Sequence, residues 1–185
     1  MEFMKGSDRE FERPDWDVYF MIQAFLAKLR SNCLTRQIGA VIVKNNRQIS
    51  TGYNGTPSGF PNCFEGGCKR CTDRIKGIVK SGESLERCIC VHAEANAIMQ
   101  CVMFGNAGST KNATLYSTLA PCIECSKMAI TVGINKVVIL SKYDEDGTEI
   151  LRHGNVQILE MDSSQLQIWI TKLFGWWMLR RTISI

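Results

Sequence analysis

The sequence predicts an α/β fold in which helices cover both faces of a sheet, a three-layer α/β/α sandwich. Segments with helical periodicity alternate with β-branched runs along the chain, and this alternation is typical of such layers. With 185 residues the chain is long enough for one domain with a substantial core. We expect residues 1–14 to form an N-terminal extension and residues 15–185 to form a single domain.

The first half of the chain begins with a helix and a hairpin. Apolar residues recur at helical spacing from Asp15 to Arg30, and Asp15 follows a proline and can cap the helix. A β-branched run, an Asn45-Asn46 turn and a second run predict the hairpin. The predicted elements are a helix over 15–30, strands at 38–44 and 47–53, and a cysteine-rich loop at about 54–90.

The second half alternates strands with helices and carries an apolar stripe near its end. No internal repeat is present in the sequence. The predicted elements are a helix over 93–104, a strand at 113–117, a helix over 123–132, strands at 136–140 and 156–161, and a terminal helix with the stripe Leu166, Ile170, Leu173 and Trp177.

One imidazole, two thiols and one carboxylate form the most informative pattern in the chain. His92-Ala-Glu94 precedes Pro121-Cys122-Ile-Glu-Cys125, and Cys122 lies 30 positions after His92. His92, Cys122 and Cys125 would be three zinc ligands, leaving a fourth position for a water whose pKa falls to roughly 7. Glu94 is then free to carry protons, and this motif order is typical of zinc deaminases that act on cytosine or adenine. The alternative is a core histidine with two buried cysteines.

The predicted helices explain how this motif can converge. His92 begins the first of the two helices, and Cys122 and Cys125 lie in the first turn of the second. Residues three apart share a helix face, so both sulfurs can contact one ion. The positive end of the helix dipole also favours thiolate over thiol.

Several segments resemble those of deoxycytidylate (dCMP) deaminases, over about Asp17 to Glu160. The general resemblance is carried by Ile38–Val43, Gly52–Pro57, His92–Ile98 and Thr114–Cys125, and the resemblance to fungal-type members by Arg30–Cys33, Asn62–Cys68 and Cys88–His92. The resemblance implies the cytidine deaminase-like fold, with a five-stranded mixed sheet. It also implies zinc-dependent hydrolysis of dCMP to dUMP and ammonia in pyrimidine nucleotide metabolism.

Two further features concern the substrate and its regulation. Gly52-Tyr-Asn-Gly55 and Asn96 favour the dCMP branch of the superfamily. Asn54, with Gly55, is the candidate substrate-binding residue, because its amide could contact the sugar hydroxyl; the alternative is a simple turn. Phage-type relatives carry an arginine where this chain has Met103-Phe104, so regulation by the effectors dCTP and dTTP stays an open expectation.

Six further cysteines predict a second metal site. They are Cys33, Cys63, Cys68, Cys71, Cys88 and Cys90, whereas Cys101 falls within a helix and is expected in the core. Four or more thiolates could bind a structural zinc in place of a missing hydrophobic core. Relatives that bind a second zinc use ligands corresponding to Cys33, Cys63 and Cys90. The fourth ligand, a binuclear centre, two linked sites and no second metal all remain open.

Composition and charge restrict the partners. The net charge of +4 suits an anionic small molecule and falls short of the basic surface typical of nucleic-acid binding. No apolar run reaches the roughly 18 residues of a membrane span, and the start lacks a signal-peptide core. Clustered cysteines without signs of secretion predict metal binding in the cytoplasm.

Two rival functions and the assembly state complete the expectations. One rival is a deaminase of dCTP or of a base in RNA; the other is a non-enzymatic, zinc-stabilised nucleic-acid-binding module. Scattered Lys and Arg residues and the intact Glu94 disfavour the module. The resemblance and three tryptophans, Trp169, Trp176 and Trp177, predict a homo-oligomer. The alternative is that these tryptophans cover the sheet within one chain.

Overall fold

The computed structural model describes residues 12–105, 108–144 and 146–181, with side chains as far as residue 173. The helices are α1 Trp16–Ala27, α2 Lys69–Ile75, α3 Ala93–Phe104, α4 Ile123–Thr131, α5 Thr148–His153 and α6 Ser163–Arg181. The strands are β1 Gly39–Lys44, β2 Arg47–Tyr53, β3 Thr114–Ser117, β4 Lys136–Ile139 and β5 Gln157–Glu160. Three short 3₁₀ segments lie at Lys28–Arg30, Cys63–Glu65 and Leu85–Arg87.

The five strands form one mixed sheet in the order β2-β1-β3-β4-β5. The pairs β1–β2 and β1–β3 are antiparallel, and β3–β4 and β4–β5 are parallel. Asn45 and Asn46 both have positive φ, 50° and 54°, which is the backbone of the two-residue turn that matches the twist of a hairpin. The predicted five-stranded mixed sheet is confirmed.

Both faces of the sheet are covered, because successive strand residues point to opposite sides. In β1, Ala40 and Ile42 belong to a core that includes residues of α3, α4 and α5. Val41 and Val43 belong to a second core with residues of α1 and α6. The three-layer α/β/α sandwich is therefore confirmed, and Asp15 caps α1 by accepting from the Val18 N–H at 2.8 Å.

The structure differs from the predicted elements in three places. The loop at about 54–90 contains α2, and α5 was not predicted at all. Neither helix has an apolar periodicity long enough to be predicted. The helix α5 has only six residues. The helix α2 buries the charged Arg70, whose guanidinium donates to the Glu83 carbonyl at 2.9 and 3.1 Å. In α6, Leu173 is 54% exposed, so the predicted apolar stripe is wrong at this position. The side chain of Trp177 lies outside the described residues.

Gly52 is the point at which α3 packs against β2. A Cβ at this position would lie 2.0 Å from the carbonyl oxygen of Ala93 and 2.5 Å from the backbone nitrogen of Ala97. Backbone atoms cannot yield as a side chain can, so this close approach requires glycine. It holds the first turn of α3, and with it the histidine that precedes the helix, against the sheet. Among the described residues, no helix combines the length and apolarity required to cross a membrane.

Candidate functional site

His92, Cys122 and Cys125 converge at the starts of α3 and α4. His92 is the N-cap of α3, Cys122 is the N-cap of α4 and Cys125 lies in its first turn. His92 Nδ1 lies 3.3 Å from Cys122 Sγ and 3.6 Å from Cys125 Sγ. A nitrogen and a sulfur bound to one tetrahedral zinc are roughly 3.6 Å apart. The three predicted ligands therefore fit a zinc ion in both chemistry and spacing.

Backbone contacts hold the ligand-bearing segments in place. Val91 forms an isolated β-bridge with Gly55, with N–H···O distances of 3.2 and 2.8 Å, and this fixes the chain immediately before His92. On the other side, the Gly147 N–H donates to the Pro121 carbonyl at 2.8 Å. A Cβ on Gly147 would lie 2.6 Å from the carbonyl oxygen of Cys122, so the segment before α5 packs directly on the start of α4.

The three ligand groups polarise one another. A hydrogen bond from Cys125 and then one from His92 lower the pKa of Cys122 to about 3. The Cys122 thiolate in turn raises the pKa of His92 to about 9, and its hydrogen bond also raises the pKa of Cys125. The three groups thus compete for protons in one small space, and a bound cation would take the place of those protons.

Glu94 lies beside these ligands and is itself buried, with 3% of its surface exposed. Its Oε1 accepts a hydrogen bond from the Ser117 hydroxyl at 2.9 Å. Burial raises the pKa of Glu94 above its ordinary value, and the carboxylate is near enough to His92 and Cys125 to act on their charges. The Ser117 hydroxyl thus fixes one carboxylate oxygen of Glu94 beside the metal ligands.

Ser117 is a site residue that sequence reasoning missed. It ends β3, is fully buried and donates to Glu94 of α3, which lies 23 residues away in the sequence. In the sequence, its role is indicated only by the presence of a serine between a buried strand and Pro121. That position does not indicate which carboxylate the hydroxyl contacts. We assign Ser117 as a positioning residue for Glu94.

Ser117→Ala should lower kcat by about 10- to 100-fold, because a hydrogen bond to a charged group is worth about 1.5–3 kcal/mol. Zinc content and KM should change little, since the Ser117 hydroxyl donates to Glu94 and not to a metal ligand. Steady-state kinetics and elemental analysis of the same sample measure both. Ser141→Ala is the control, because Ser141 donates only to the Thr118 carbonyl. A wild-type kcat in Ser117→Ala would contradict the assignment.

Asn54 and Gly55, the candidate substrate residues, connect the end of β2 to its surroundings. Asn54 Oδ1 accepts from the Ser31 hydroxyl at 2.7 Å and from the Ile38 N–H at 2.8 Å, and Nδ2 donates to the Arg36 carbonyl at 2.7 Å. Only one of the two Nδ2 hydrogens is used in these contacts. Gly55 forms the bridge to Val91 described above. Both residues thus organise the backbone beside His92, and a substrate contact by Asn54 stays a prediction.

The six further cysteines lie together in one cluster, which we call the sulfur cluster; five of them are buried and Cys88 is partly buried. They form two overlapping groups in which all sulfurs lie within 4.8 Å of one another: Cys33, Cys63, Cys71 and Cys90 in one, and Cys68, Cys71, Cys88 and Cys90 in the other. Cys101 packs instead in the core formed with α3. All nine cysteines are free thiols.

Comparison with known proteins agrees with the zinc ligand set that the geometry indicates. Residues 14–141 match the family model for the cytidine and deoxycytidylate deaminase zinc-binding region. The deoxycytidylate deaminase of Saccharomyces cerevisiae is 41% identical over 155 residues, which cover 83% of this chain and 47% of the yeast protein. That of Schizosaccharomyces pombe is 43% identical over 148 residues, 79% of this chain and 44% of the relative. The chain thus spans less than half the length of these two relatives.

One solved structure aligns with this chain over the full length of the solved protein. The dCMP deaminase of cyanophage S-TIM5, in complex with dCMP and dUMP, has 31% sequence identity and a TM-score of 0.65. The alignment covers 82% of this chain and all of the phage protein.

Proposed function

We propose, from the premise that this chain belongs to the cytidine and deoxycytidylate deaminase family, that it hydrolyses dCMP to dUMP and ammonia. The match over residues 14–141 confirms the family that the sequence motifs predicted. The observation that carries the proposal is the pairing of a zinc ligand set, His92, Cys122 and Cys125, with the buried Glu94. A purely structural metal site would not require a buried carboxylate beside its ligands.

His92, Cys122 and Cys125 would hold the zinc, which when bound lowers the pKa of a water to roughly 7. Glu94 supplies the proton transfers that hydrolysis needs. It accepts one proton from the attacking water and delivers it to N3 of the base. It then takes the remaining proton from the hydroxyl added at C4 and delivers it to the departing amino group, so that water and dCMP become dUMP and ammonia. Its raised pKa suits a group that must both accept and donate protons near neutral pH.

The substrate is proposed from the named relatives and from charge. The two yeast relatives are named deoxycytidylate deaminases, and the phage structure is described as a complex with dCMP and dUMP. The net charge of +4 is compatible with a phosphorylated nucleotide. The remaining amide hydrogen of Asn54 is our candidate contact for the sugar, with crowding near C2′ excluding the ribonucleotide.

A substrate comparison tests this proposal. The zinc-loaded protein is incubated in one buffer with dCMP, CMP, cytidine, dCTP or tRNA, and kcat/KM is obtained from ammonia release. We expect dCMP to exceed cytidine by about 10-fold or more, because a missing phosphate leaves buried hydrogen bonds unmade at about 1–3 kcal/mol each. We expect dCMP to exceed CMP as well, because of crowding near C2′. If dCTP or the RNA is preferred by about tenfold, the zinc chemistry stands but the substrate is wrong. Zinc binding without any ammonia release would favour the nucleic-acid-binding module.

We also propose that the protein assembles with copies of itself. Val102, Met103 and Phe104, at the end of α3, are 72%, 71% and 82% exposed, and large apolar side chains exposed next to one another in the sequence are candidates for an interface. Trp169 is half-buried against the core of α1 and α6, as the intrachain alternative expected, whereas the side chains of Trp176 and Trp177 lie outside the described residues.

Regulation by dCTP or dTTP stays a prediction. The nine free thiols support a reducing compartment such as the cytoplasm.

Light scattering should show a species larger than one chain at micromolar concentration. Phe104→Asp should shift the protein toward the monomer, because a charge in an apolar interface is costly. Ile78→Asp is a matched control, since Ile78 is 69% exposed and belongs to the cysteine-rich loop rather than to α3. A monomer at all concentrations tested would count against assembly.

A further inference from the structure

The sulfur cluster has an arrangement that a single zinc site does not explain. Its six cysteines form two four-sulfur groups, and both groups contain Cys71 and Cys90. One tetrahedral zinc would use four of these thiols and leave two unused. Two separate four-sulfur sites would need eight. Six sulfurs satisfy two tetrahedral ions only if two of the sulfurs are shared.

The distances agree with metal ligation. Cys33 Sγ lies 3.9 Å from Cys71 Sγ in the first group, and Cys68 Sγ lies 3.9 Å from Cys88 Sγ in the second. Two sulfurs bound to the same tetrahedral zinc are about 3.8 Å apart. In each group, one pair of sulfurs thus already has the separation expected of two ligands on the same zinc.

We propose that the sulfur cluster is a binuclear zinc centre in which Cys71 and Cys90 bridge two ions. Cys33 and Cys63 complete the ligands of the first ion. Cys68 and Cys88 complete those of the second. The six thiols release their protons when the two ions bind.

The surroundings of the sulfurs support thiolate ligands. The Leu34 N–H donates to Cys63 Sγ at 3.4 Å, and Thr35 Oγ1 lies 3.5 Å from Cys33 Sγ and 3.7 Å from Cys71 Sγ. Six thiolates and two divalent ions carry a net charge of −2, and donors of this kind stabilise such charge on sulfur. Hydrogen bonds to metal-bound sulfur are thus available from the turn that follows Cys33.

The position of the cluster in the chain explains what two ions would do for the fold. Cys63, Cys68 and Cys71 are completely buried, and Leu34 is the one aliphatic side chain of the described residues that packs against the cluster. The cysteine-rich loop therefore lacks an ordinary apolar core, and metal–sulfur bonds would replace it. Cys90 also lies two residues before His92, so the cluster anchors the segment that enters α3.

Metal stoichiometry provides the first test. Protein purified with zinc and without chelator is analysed by native mass spectrometry and by elemental analysis. We expect three zinc ions per chain, two in the sulfur cluster and one at His92, and two in His92→Ala. One or two ions in the wild-type protein would overturn the proposal. This count does not depend on enzymatic activity, so it is independent of the proposed substrate.

Cadmium substitution tests the bridging sulfurs directly. In protein loaded with ¹¹³Cd, two resonances should have shifts typical of four sulfur ligands and should be scalar-coupled to each other through the shared thiolates. Two such resonances without coupling would overturn the bridged arrangement. Cys71→Ser should lose both cluster ions, whereas Cys101→Ala should keep all three zinc ions. If Cys71→Ser does not fold, the measurement on the wild-type protein still decides between the arrangements.

Discussion

Glu94→Gln should abolish most deamination while leaving the catalytic zinc in place. Gln preserves the shape of the side chain and an oxygen that can accept from Ser117, but it cannot accept a proton. Removing a general acid–base group costs roughly 10²–10⁴-fold in rate. Glu94 also faces the ring edge in the proposed mechanism, so its replacement by Ala should be at least as severe. The measurement is kcat with dCMP together with zinc content.

Glu124→Gln is the matched control for this change. Glu124 is also in the first turn of a helix beside the metal ligands, but it is exposed and pairs with Lys127 at 2.7 Å. We expect it to retain both zinc and activity. Substantial turnover by Glu94→Gln would contradict the assigned proton transfer. A loss of zinc in that variant would mean that Glu94 is a metal ligand.

Cys122→Ala should remove one zinc per chain and reduce deamination below that of Glu94→Gln. Two remaining protein ligands hold zinc weakly, and without zinc the attacking water keeps its ordinary pKa. His92→Ala should have the same effect, because its Nδ1 lies 3.3 Å from the Cys122 sulfur in the same ligand set. Elemental analysis measures the loss of zinc, and ammonia release at a single time point measures the loss of deamination, both on one preparation.

Cys101→Ala distinguishes the loss of a ligand from the loss of any buried thiol. Cys101 is 3% exposed and packs in the core with α3, outside both groups of cluster sulfurs. It should keep its zinc and most of its activity, with a small loss of stability from the missing sulfur. If Cys122→Ala keeps wild-type activity, the ligand set is wrong.

The elements that sequence reasoning predicted well are those determined by local chemistry. Asn45-Asn46 predicted the turn between β1 and β2, and the observed positive φ at both residues is its physical basis. Asp15 predicted the start of α1 through a single hydrogen bond to a residue three positions ahead. The pairing of His92 with two cysteines required only that each motif begin a helix. In each case the relevant partner was near in sequence or was specified by metal geometry.

The features that could not be predicted depend on contacts between distant segments. Ser117 contacts Glu94 because β3 ends beside α3, which no pattern within either segment indicates. The sequence predicts that Asn54 contacts the substrate. In the structure its side-chain amide forms three hydrogen bonds within the protein, with Ser31, Ile38 and Arg36. The helix α2 has no apolar periodicity, because the residues that it buries are Arg70, Cys71 and Asp73.

The sharing of ligands in the sulfur cluster likewise required coordinates. Spacing in the sequence separates Cys68-Lys-Arg-Cys71 from Cys88-Ile-Cys90 and gives no reason to choose one bridging cysteine over another. Folding brings both pairs against Cys33 and Cys63, and only then do Cys71 and Cys90 become members of both groups.

Hydrolysis of dCMP in water enriched with ¹⁸O is the most direct measurement of the proposed reaction. The zinc-loaded protein should release one ammonia for each dUMP formed, and the dUMP should carry one ¹⁸O at C4, the atom that lost the amino group. Glu94→Gln should form almost none of this product under the same conditions. Absence of dUMP from the wild-type protein, or dUMP without the label, would contradict a hydrolytic deaminase built on His92, Cys122, Cys125 and Glu94.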